Sequence, residues 1–405
     1  MHILLIHQAF TTLDEPGGTR HYELAGHLAA AGHRVTVIAS PISYLTGHPV
    51  GPAAPRPSVA DDPQGVRILR VYTYPGLHRS FGRRVLIFFS FMFSSFFVGL
   101  KVKDVDLVWG TSPPIFQGLT AWALARLKRR PFLFEVRDLW PAFAVAIGVL
   151  KNRLAIRLAE SLERFLYRRA DRIIVNSPGF LEPVRRLGGR EPVVIPNGVD
   201  VGMFHPQADG REFRDRWNLG DRFVAMYAGA HGVSNNLGIL LEAARLLLDE
   251  PRVAVVLVGD GMEKPALLAK ATALRLTNLT FVPSLPKNEM GRALAAADAC
   301  IGILKPIPLY ATVYPNKIFD YLAAGRPVIL AMQGVILDLV EQAGAGIPVP
   351  PGDAPALAQA VRRLAADPQQ ARRLGLAGRA FVETHYDRRK LAGELIRIIQ
   401  PMEKP

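Results

Sequence analysis

Short apolar runs and longer mixed stretches alternate along the chain. Ile3–Ile6, Val35–Ile38 and Val105–Trp109 are mostly apolar runs with the length of buried strands. Thr19–Ala31 and Arg153–Ala170 combine apolar and polar residues over helical lengths. Strands that alternate with helices form parallel sheets covered by helices. The pattern therefore predicts an α/β fold that begins with a βαβ unit.

The alternation starts again in the second half of the chain. The irregular residues that begin with Pro196–Asp200 predict a hinge, and a new series of strands and helices begins at Phe223. We therefore expect two doubly wound, Rossmann-like domains. The first comprises residues 1–203 and a C-terminal helix (387–405), and the second comprises residues 204–386. Ligands bind beyond the carboxyl ends of parallel strands, so two such domains facing each other would form a cleft.

The composition is that of a globular protein with substantial cores, because 49% of the 405 residues are hydrophobic and 21% are charged. Pro41–Gln64, rich in Pro, Gly and Ala, predicts a surface excursion. The net charge of +14 is compatible with nucleic acid, an anionic membrane surface or phosphate-bearing substrates. No nucleic-acid-binding motif occurs, so we expect no nucleic acid partner. A single cysteine, Cys300, excludes a disulfide framework.

An aromatic segment between residues 81 and 103 has two interpretations. Its apolar run from Val85 to Leu100 is shorter than the roughly twenty residues that span a bilayer. Basic residues flank the run on both sides, which favours a helix lying in an anionic leaflet. The alternative is a helix buried in the protein core.

The stretch from Thr312 to Val328 carries the strongest site signal. An irregular piece leads into a helix that begins at about Lys317 and ends before Gly325. Free backbone N–H groups, a lysine and the carboxylate of Asp320 therefore gather at a helix N-terminus, where anions bind well. We expect a nucleotide diphosphate to bind here.

Other candidate residues lie in loops next to predicted strands. They are the pair Gly17 and Gly18, the acids Glu135 and Asp138 on either side of Arg137, His231, Gly259 and Lys305. Glycines let a phosphate or sugar approach the backbone, carboxylates bind sugar hydroxyls or transfer protons, and histidine and lysine donate to phosphate. Each also has a structural alternative, namely a flexible turn, an ion pair at a strand end, a turn-stabilising histidine or a solvated lysine.

Seven segments occur in an order that is typical of one family. They are Glu15–Arg20, Thr111–Pro114, Glu135–Pro141, Pro196–Asp200, Tyr227–Gly232, Val258–Gly261 and Pro315–Val328. With them, nearly the whole chain resembles the GT4 family of retaining glycosyltransferases, which have a GT-B fold. Within the family it looks most similar to the branch that includes the WbuB-like N-acetylfucosaminyl transferases of surface polysaccharide synthesis.

The resemblance implies a UDP-type nucleotide-sugar donor in the C-terminal domain and an acceptor on the N-terminal side. The implied donor-binding residues are Gly17, Gly18, Gly229, Gly259, Val282, Leu285, Val313, Tyr314, Asn316, Lys317 and Asp320. Asp320 is implied to hold the ribose hydroxyls, and the loop from Val282 to Leu285 to lie against the base. Such enzymes need no metal or other cofactor, because helix N-termini and basic side chains neutralise the departing diphosphate.

Several positions depart from the family pattern. Thr312 stands where the family commonly has the first of two glutamates, and the usual basic positions fall on Ala230 and Asn235. The family's acceptor-domain histidine aligns near Arg137. The residues expected to supply the missing charge are Lys305, Lys317 and His231. The expected catalytic set is Glu135, Asp138, His231, Lys305 and Thr312.

The resemblance implies that the acceptor attacks on the face that the diphosphate leaves, and that the leaving phosphate oxygen takes the proton. We expect transfer of an N-acetylated amino or deoxyamino sugar from a UDP-sugar to a polyprenyl-diphosphate-linked saccharide. The enzyme would be peripheral or monotopic on the cytoplasmic face of the inner or plasma membrane, with residues 81–103 at its surface. The alternatives are a nucleotide-sugar epimerase or hydrolase on the same fold, and a non-catalytic scaffold that binds nucleotide sugar.

Overall fold

A computed structural model describes residues 1–43, 47, 49, 58–62, 64–75 and 81–402, without the side chains of residues 61 and 81–85. The chain forms two compact α/β units. Unit 1 comprises Met1–Thr12, Gly18–Pro196 and the residues from Arg389 on, and unit 2 comprises Leu13–Gly17 and Asn197–Arg388.

The long segment of unit 2 begins at Asn197, several residues before the expected start of the second domain at 204. Hydrogen bonds explain the difference. The Asn197 side-chain amide donates to the Tyr314 carbonyl oxygen (2.6 Å), and the Val199 N–H donates to the Tyr386 carbonyl oxygen (2.9 Å). The segment interpreted as a hinge is therefore largely integrated into unit 2.

The described residues of unit 1 form one sheet of eight strands. They are β1 (His2–Ile6), β2 (Arg34–Ala39), β3 (Ser58–Asp61), β4 (Val66–Arg70), β5 (Leu107–Ser112), β6 (Phe132–Val136), β7 (Arg172–Val175) and β8 (Val193–Val194). Their order is β3-β4-β2-β1-β5-β6-β7-β8, and the described pairings are parallel except β3 with β4. β1, β5 and β6 are buried throughout, which explains their nearly continuous apolar sequences.

The expectation of an irregular surface excursion over Pro41–Gln64 is wrong at β3. Val59 lies opposite Leu69 and Ala60 opposite Ile68 in an antiparallel edge pairing. Residues 58–60 are exposed, so this strand lacks the apolar pattern of a buried one. Residues 44–46, 48, 50–57 and 63 of the predicted excursion lie outside the described chain.

Six helices complete the main part of unit 1. They are α1 (Arg20–Ala30), α2 (Phe81–Lys101), α3 (Phe116–Lys128), α4 (Ala142–Ala146), α5 (Arg153–Arg169) and α6 (Leu181–Arg186). Asn152 starts α5, because its side-chain oxygen accepts from the Ala155 N–H (3.0 Å). Arg129 ends α3 in the left-handed conformation. α3 contacts both α2 and α5.

The aromatic helix α2 has one buried edge and one exposed edge. The buried edge repeats every four residues and consists of Ile87, Phe91, Ser95 and Gly99. A Cβ atom at Gly99 would lie 2.5 Å from the Leu124 side chain, so glycine allows α2 to approach α3 closely. The exposed edge consists of Leu86, Phe89, Phe93, Phe97 and Leu100. The core interpretation therefore applies to one edge of the helix only.

Across the described residues, no helix combines the length and the hydrophobicity that a membrane crossing requires.

Unit 2 contains a second, wholly parallel sheet among the described strands. They are β9 (Phe223–Ala228), β10 (Val253–Val258), β11 (Leu279–Val282), β12 (Ala299–Ile303), β13 (Val328–Ala331) and β14 (Gly346–Pro348), in the order β11-β10-β9-β12-β13-β14. Alternate residues of β9 face two cores: Val224 and Met226 lie in one, and Ala225 and Tyr227 in the other. Helices on both faces bury these positions, as a doubly wound sheet requires.

The helices of unit 2 are α7 (Arg211–Arg216), α8 (Gly238–Leu246), α9 (Lys264–Ala273), α10 (Lys287–Ala295), α11 (Asn316–Ala323), α12 (Val335–Gln342), α13 (Ala354–Ala366) and α14 (Pro368–His385). The last helix, α15 (Arg388–Ile399), belongs to unit 1 from Arg389 on. α11 and β13 together form the stretch in which the sequence predicted an anion site.

Candidate functional site

The first turns of α11 are tied to the carboxyl end of β9. The Tyr321 hydroxyl accepts from the Ala228 N–H and donates to the Ala228 carbonyl oxygen, both at 2.9 Å. One turn earlier, Lys317 Nζ donates to the Tyr227 hydroxyl (2.8 Å) and to Asn235 Oδ1 (3.0 Å). The lysine therefore lies at the edge of a parallel sheet where ligands bind.

Lys317 has no acidic partner among the described residues, since its two hydrogen bonds end on a phenol and an amide. Its ammonium group also lies 4.2 Å from the centre of the Tyr227 ring. Burial lowers the pKa of Lys317 to about 7. A Cβ atom at Gly229 would lie 3.2 Å from Lys317 Nζ, so glycine leaves room beside the ammonium group.

Two loops at this edge lie backbone to backbone. The His231 N–H donates to the Asp260 carbonyl oxygen (2.7 Å), and the Gly229 N–H donates to the Val258 carbonyl oxygen (3.0 Å). Gly259 has a φ of +143°, and a Cβ atom there would lie 1.9 Å from the Gly229 carbonyl oxygen. Gly259 is therefore needed for the contact between the loops.

His231 is fully buried, and neither ring nitrogen has a hydrogen-bond partner within the described part of the chain. Its ring lies near the rings of Tyr227 (6.1 Å between centres) and Phe281 (6.2 Å). Burial, together with the charges of Lys264 and Lys317, lowers the pKa of His231 to about 4. The imidazole is therefore neutral at pH 7 and retains one N–H for donation.

Asp320, expected at the ribose, is held by a lysine of α10. Lys287 Nζ lies 2.6 Å from Asp320 Oδ2, and both side chains are largely buried. Lys287 also lies 5.1 Å from the centre of the Phe204 ring. A ribose hydroxyl would therefore share the carboxylate with Lys287, and ribose binding stays a prediction.

Apart from Gly18, the remaining donor-side candidates also lie in unit 2, most of them partly buried. Thr312 ends a 3-10 turn (Pro308–Thr312), and its hydroxyl donates to the Leu309 carbonyl oxygen (2.7 Å). The Lys305 N–H donates to the Ser234 carbonyl oxygen (2.9 Å). The candidates whose side chains are partly exposed are Leu285, Lys305, Thr312, Val313, Tyr314 and Asn316.

Val282 differs from these residues. It is fully buried at the end of β11, and its carbonyl oxygen accepts from the Gly259 N–H (3.0 Å). Its side chain therefore belongs to the core, and Leu285 is the partly exposed end of the loop that the resemblance places against the base.

In unit 1, Glu135 is buried at the end of β6 and bound on both oxygens. Arg20 Nε lies 2.8 Å from Oε1, and His21 Nε2 lies 2.6 Å from Oε2. Arg20 also donates to the carbonyl oxygens of Ile195 (2.7 Å) and Pro196. Burial alone would raise the pKa of Glu135, but His21 and Arg20 outweigh it and hold that pKa well below its usual range. The structural alternative, a strand-end ion pair, describes this geometry.

Asp138 differs from Glu135 although the two are only three residues apart. No carboxylate contact of Asp138 with a described residue occurs at ion-pair distance, and burial raises its pKa to about 6 against the opposing charge of Arg137. Arg137 donates to the Thr111 hydroxyl (2.8 Å) and the Pro113 carbonyl oxygen (2.8 Å). Asp138 therefore has the properties of a group that exchanges protons near neutral pH.

The pair Gly17 and Gly18 is divided between the units, with Gly17 in unit 2 and Gly18 in unit 1. The short segment that ends at Gly17 is held within unit 2 by Asn288. The Asn288 N–H donates to the Leu13 carbonyl oxygen (3.2 Å), and its side-chain amide donates to Asp14 (2.8 Å). Both glycines are exposed.

Arg20, His21 and His7 were not among the site residues expected from the sequence. His7 follows β1, is buried, and has no partner for either ring nitrogen within the described chain. Its ring lies 4.2 Å from that of His21, and burial holds its pKa well below the usual value. Their positions in the sequence could have identified these residues. His7 directly follows β1, and Arg20 and His21 begin the helix that follows Gly17 and Gly18.

No group of three or more His, Cys, Asp or Glu side chains in the described residues is arranged to hold a metal ion. Metal independence stays a prediction.

Two family models match the chain. Residues 17–198 match the glycosyl transferase 4-like domain, and residues 222–367 match the glycosyl transferases group 1. Among curated proteins, the putative colanic acid biosynthesis glycosyl transferase WcaI of Escherichia coli K12 is 25% identical over 321 residues. The match spans 77% of this chain and 78% of WcaI.

Solved structures match over almost the full length. Sucrose-phosphate synthase from Thermosynechococcus elongatus has a TM-score of 0.79 at 22% identity and covers 99% of this chain and 98% of its own. HepE from Anabaena, in complex with UDP-glucose, has a TM-score of 0.73 at 18% identity and covers 99% and 100%. The expected GT-B fold, with two Rossmann-like domains, is thereby confirmed.

Proposed function

We propose that this chain, a glycosyltransferase of the GT4 type with a GT-B fold, is a retaining, metal-independent enzyme that acts on a lipid-linked saccharide. The donor is a UDP-sugar, and the sugar is N-acetylated, as in the WbuB-like branch that the chain resembles. The acceptor is linked to polyprenyl diphosphate at the cytoplasmic face of the membrane. WcaI, a relative of similar length, is described as a putative enzyme of colanic acid biosynthesis, and HepE was solved with UDP-glucose.

The observation that carries the donor assignment is the uncompensated charge of Lys317. A lysine whose pKa is lowered to about 7 by burial, with only Tyr227 and Asn235 as partners, gains most from an incoming anion. The diphosphate of a nucleotide sugar supplies that anion. His231 lies in the adjoining loop, and its ring nitrogens are buried and have no partner within the described chain. Its N–H would donate to a phosphate oxygen once ligand binding moves the loop and exposes the ring.

The position of Lys317 also explains one departure from the family pattern. The resemblance puts a basic residue at position 235, where this chain has asparagine. Lys317 Nζ lies 3.0 Å from Asn235 Oδ1, so an ammonium group reaches that place from α11 instead. The cation is thus supplied from a different element.

In the proposed reaction the acceptor hydroxyl forms the new glycosidic bond on the face that the diphosphate leaves. The bond between the sugar and the diphosphate breaks, and the leaving phosphate oxygen takes the hydroxyl proton. Lys317, His231, Lys305 and the N-terminal N–H groups of α11 stabilise the negative charge that grows on the diphosphate. This scheme needs no protein nucleophile. It is therefore compatible with Thr312, which contributes a hydroxyl and no carboxylate.

On the acceptor side, the roles of the two acids differ. Both oxygens of Glu135 are bound and its pKa is depressed, so Glu135 is a positioning residue that orients Arg20 and His21. Asp138, with its pKa raised to about 6, is the acid that binds acceptor hydroxyls. This assignment revises the expectation that both acids act directly.

Exposed apolar side chains on α2 and α5, two helices that both contact α3, support the membrane assignment. α2 exposes Phe93 and Phe97 at 57% and 61%, and α5 exposes Leu154 and Leu158 at 66% and 63%. Exposed arginines of α5 accompany these side chains, namely Arg153, Arg157, Arg164 and Arg168. Apolar side chains beside cations suit the boundary between headgroups and acyl chains of an anionic leaflet.

The decisive experiment incubates the purified protein with a panel of labelled UDP-sugars and membranes that contain lipid-linked saccharide. We expect label in the lipid fraction with wild-type protein, and an anomeric configuration like that of the donor. Turnover of donor without lipid labelling would indicate the epimerase or hydrolase alternative. Tight UDP binding without turnover would indicate the scaffold, which the missing carboxylate at Thr312 makes the chief competitor.

Flotation with phosphatidylglycerol vesicles tests the membrane surface. The double variant Phe93→Ser/Phe97→Ser should bind at least about tenfold more weakly, because two exposed apolar anchors are removed. The matched control is Met262→Ser/Leu268→Ser, which removes exposed apolar side chains from unit 2. Equal binding of both variants would assign the α2 edge to another role.

A further inference from the structure

A cavity lies in unit 2 at the edge where the strands begin. Its volume is about 790 Å³, and its lining includes Phe223, Val253 and Pro327, at the starts of β9, β10 and β13. Lys317 and His231 lie at the opposite edge, where the strands end. A strand of six residues, as β9 is, spans roughly 20 Å. The cavity is therefore separate from the donor site.

The cavity wall is rich in arginine. Arg214, Arg222, Arg252, Arg326 and Arg372 line it, together with the acids Asp221, Glu250 and Asp298. Two of the acids are already compensated: Arg214 lies 2.8 Å from Asp298, and Arg362 lies 3.6 Å from Glu250. The arginine charge therefore exceeds the acidic charge that is left to balance it.

Some of these arginines are used by the fold and others are not. Arg214 and Arg222 donate to backbone carbonyl oxygens, which hold the turn before β9. The side chains of Arg252 and Arg372 are exposed and make no hydrogen bond or ion pair with the described residues. Arg326 donates through Nη2 to the Ala295 carbonyl oxygen (3.1 Å), but its Nε is buried without a partner in the described chain.

We propose that this cavity binds a small phosphomonoester, such as a sugar phosphate. Its volume lies within the range of small-molecule sites. Planar guanidinium groups recognise phosphate oxygens in pairs, and Arg252, Arg326 and Arg372 have donors available for that purpose. The acid Asp221, exposed at the rim, suits the hydroxyls of the attached sugar.

The cavity and the donor site are connected by α11. Lys317 lies in the first turn of this helix, and Gly325 and Arg326, which line the cavity, follow its last turn. α14 fixes this end: Arg379 Nη1 donates to the Ala323 carbonyl oxygen (2.6 Å), and a Cβ atom at Gly375 would lie 2.0 Å from the Gly325 carbonyl oxygen. A phosphate bound to Arg326 therefore acts on the helix that carries the donor-site lysine. This coupling rests on the proposed function of Lys317; binding in the cavity does not.

The test uses the full-length protein and glucose 6-phosphate, with inorganic phosphate and glucose as comparisons, in isothermal titration calorimetry. We expect saturable binding of glucose 6-phosphate, weaker binding of phosphate and none of glucose. Arg252→Ala/Arg372→Ala should weaken binding by about tenfold or more. The matched control is Arg373→Ala, an exposed arginine next to Arg372 that does not line the cavity. Thermal unfolding of both variants verifies that they fold.

Lys317→Met separates the two sites. Glucose 6-phosphate binding that persists in Lys317→Met but falls in the double arginine variant supports the cavity. Binding that is lost in Lys317→Met and kept in the double arginine variant places the ligand in the donor site and overturns the proposal, as does an absence of saturable binding. UDP titrations with and without glucose 6-phosphate test the coupling, and an unchanged UDP affinity would overturn it. UDP binding by the wild-type protein tests the donor assignment independently.

Discussion

The two units bury charge in opposite ways. In unit 1, Glu135 is bound by Arg20 at 2.8 Å and by His21 at 2.6 Å, so the negative charge is matched. In unit 2, Lys317 is bound by Tyr227 and Asn235, which carry no charge. Burial depresses the pKa of the lysine to about 7, while His21 and Arg20, which bind the two carboxylate oxygens, hold the pKa of the glutamate low.

This difference separates structure from binding. A buried charge with partners on every side is costly to disturb but has no capacity left for a ligand. A buried cation with only neutral partners lowers the free energy of unfolding, because its charge is not compensated. An anionic ligand compensates the charge and removes this cost. We therefore assign the Glu135 cluster to positioning and the Lys317 cluster to donor binding.

We expect the strongest effect from a change in the Glu135 cluster, which comprises Glu135, Arg20 and His21. Glu135→Gln removes the charge that compensates Arg20, and we expect the free energy of unfolding in urea to fall by about 3 kcal/mol. The control is Glu182→Gln, whose exposed pair with Arg186 at 3.7 Å should be worth no more than about 0.5 kcal/mol. A loss below about 1 kcal/mol in Glu135→Gln would mean that the pair does not hold this part of unit 1.

Lys317→Met tests the Lys317 cluster, which comprises Lys317, Tyr227 and Asn235. UDP affinity should fall by about 30-fold, because a charge-assisted contact to the diphosphate is lost. The free energy of unfolding should stay the same or rise, because an uncompensated buried cation is removed. Lys270→Met, on the surface of α9 beside Glu242, is the control and should leave UDP affinity unchanged. A stability loss like that of Glu135→Gln would contradict the comparison.

The pH dependence of donor binding sharpens the same point. UDP-glucose is the suitable probe, because its diphosphate does not titrate near neutrality. Below about pH 7, Lys317 carries its proton with or without ligand, and its contribution is constant. Above pH 7 the free lysine is neutral and binding takes up a proton, so affinity should fall by up to about tenfold per pH unit. The decline should be absent in Lys317→Met; an identical decline there would assign it to another group.

The smallest expected effect concerns Asp320, which is charged and paired like Glu135 but lies in unit 2. Asp320→Ala should weaken UDP binding by about tenfold, since the ribose loses an acceptor. A double cycle that combines Asp320→Ala with 2′-deoxy-UDP measures whether loss of the carboxylate and loss of the 2′-hydroxyl have interacting effects on affinity. Loss of the 2′-hydroxyl should cost affinity in the wild type and little more in the variant. Fully additive effects would mean that Asp320 supports Lys287 and does not contact this hydroxyl.

Much of the fold was predictable from local patterns. β1 was expected at Ile3–Ile6 and is found at His2–Ile6, and α11 begins one residue before its expected start. β3 was not predicted, because an exposed edge strand carries no apolar run to reveal it. Neither the core nor the surface interpretation of the aromatic run describes the whole helix, because α2 packs one edge against α3 and leaves the other edge exposed.

The candidate site was predictable by position and less so by role. Lys317 and His231 were singled out because both lie next to a strand or a helix start. Arg20 and His21 escaped notice, because their importance comes from Glu135, more than a hundred residues away in sequence. The roles of Glu135 and Asp138 differ although the two are only three residues apart. The fold brings Arg20 and His21 to the Glu135 carboxylate and forms no ion pair between Asp138 and a described residue.

Local patterns along the chain were sufficient to predict the two-domain α/β architecture and to recognise the glycosyltransferase motifs, since both depend on residues that are close in sequence. Apolar runs, helix ends and glycine turns act over a few residues, so their pattern can be read directly. The tertiary structure decided which charges are compensated. Burial and charge pairing depend on groups from distant segments, so only the folded chain shows that Glu135 is bound by Arg20 and His21 and that Lys317 is bound by the uncharged Tyr227 and Asn235.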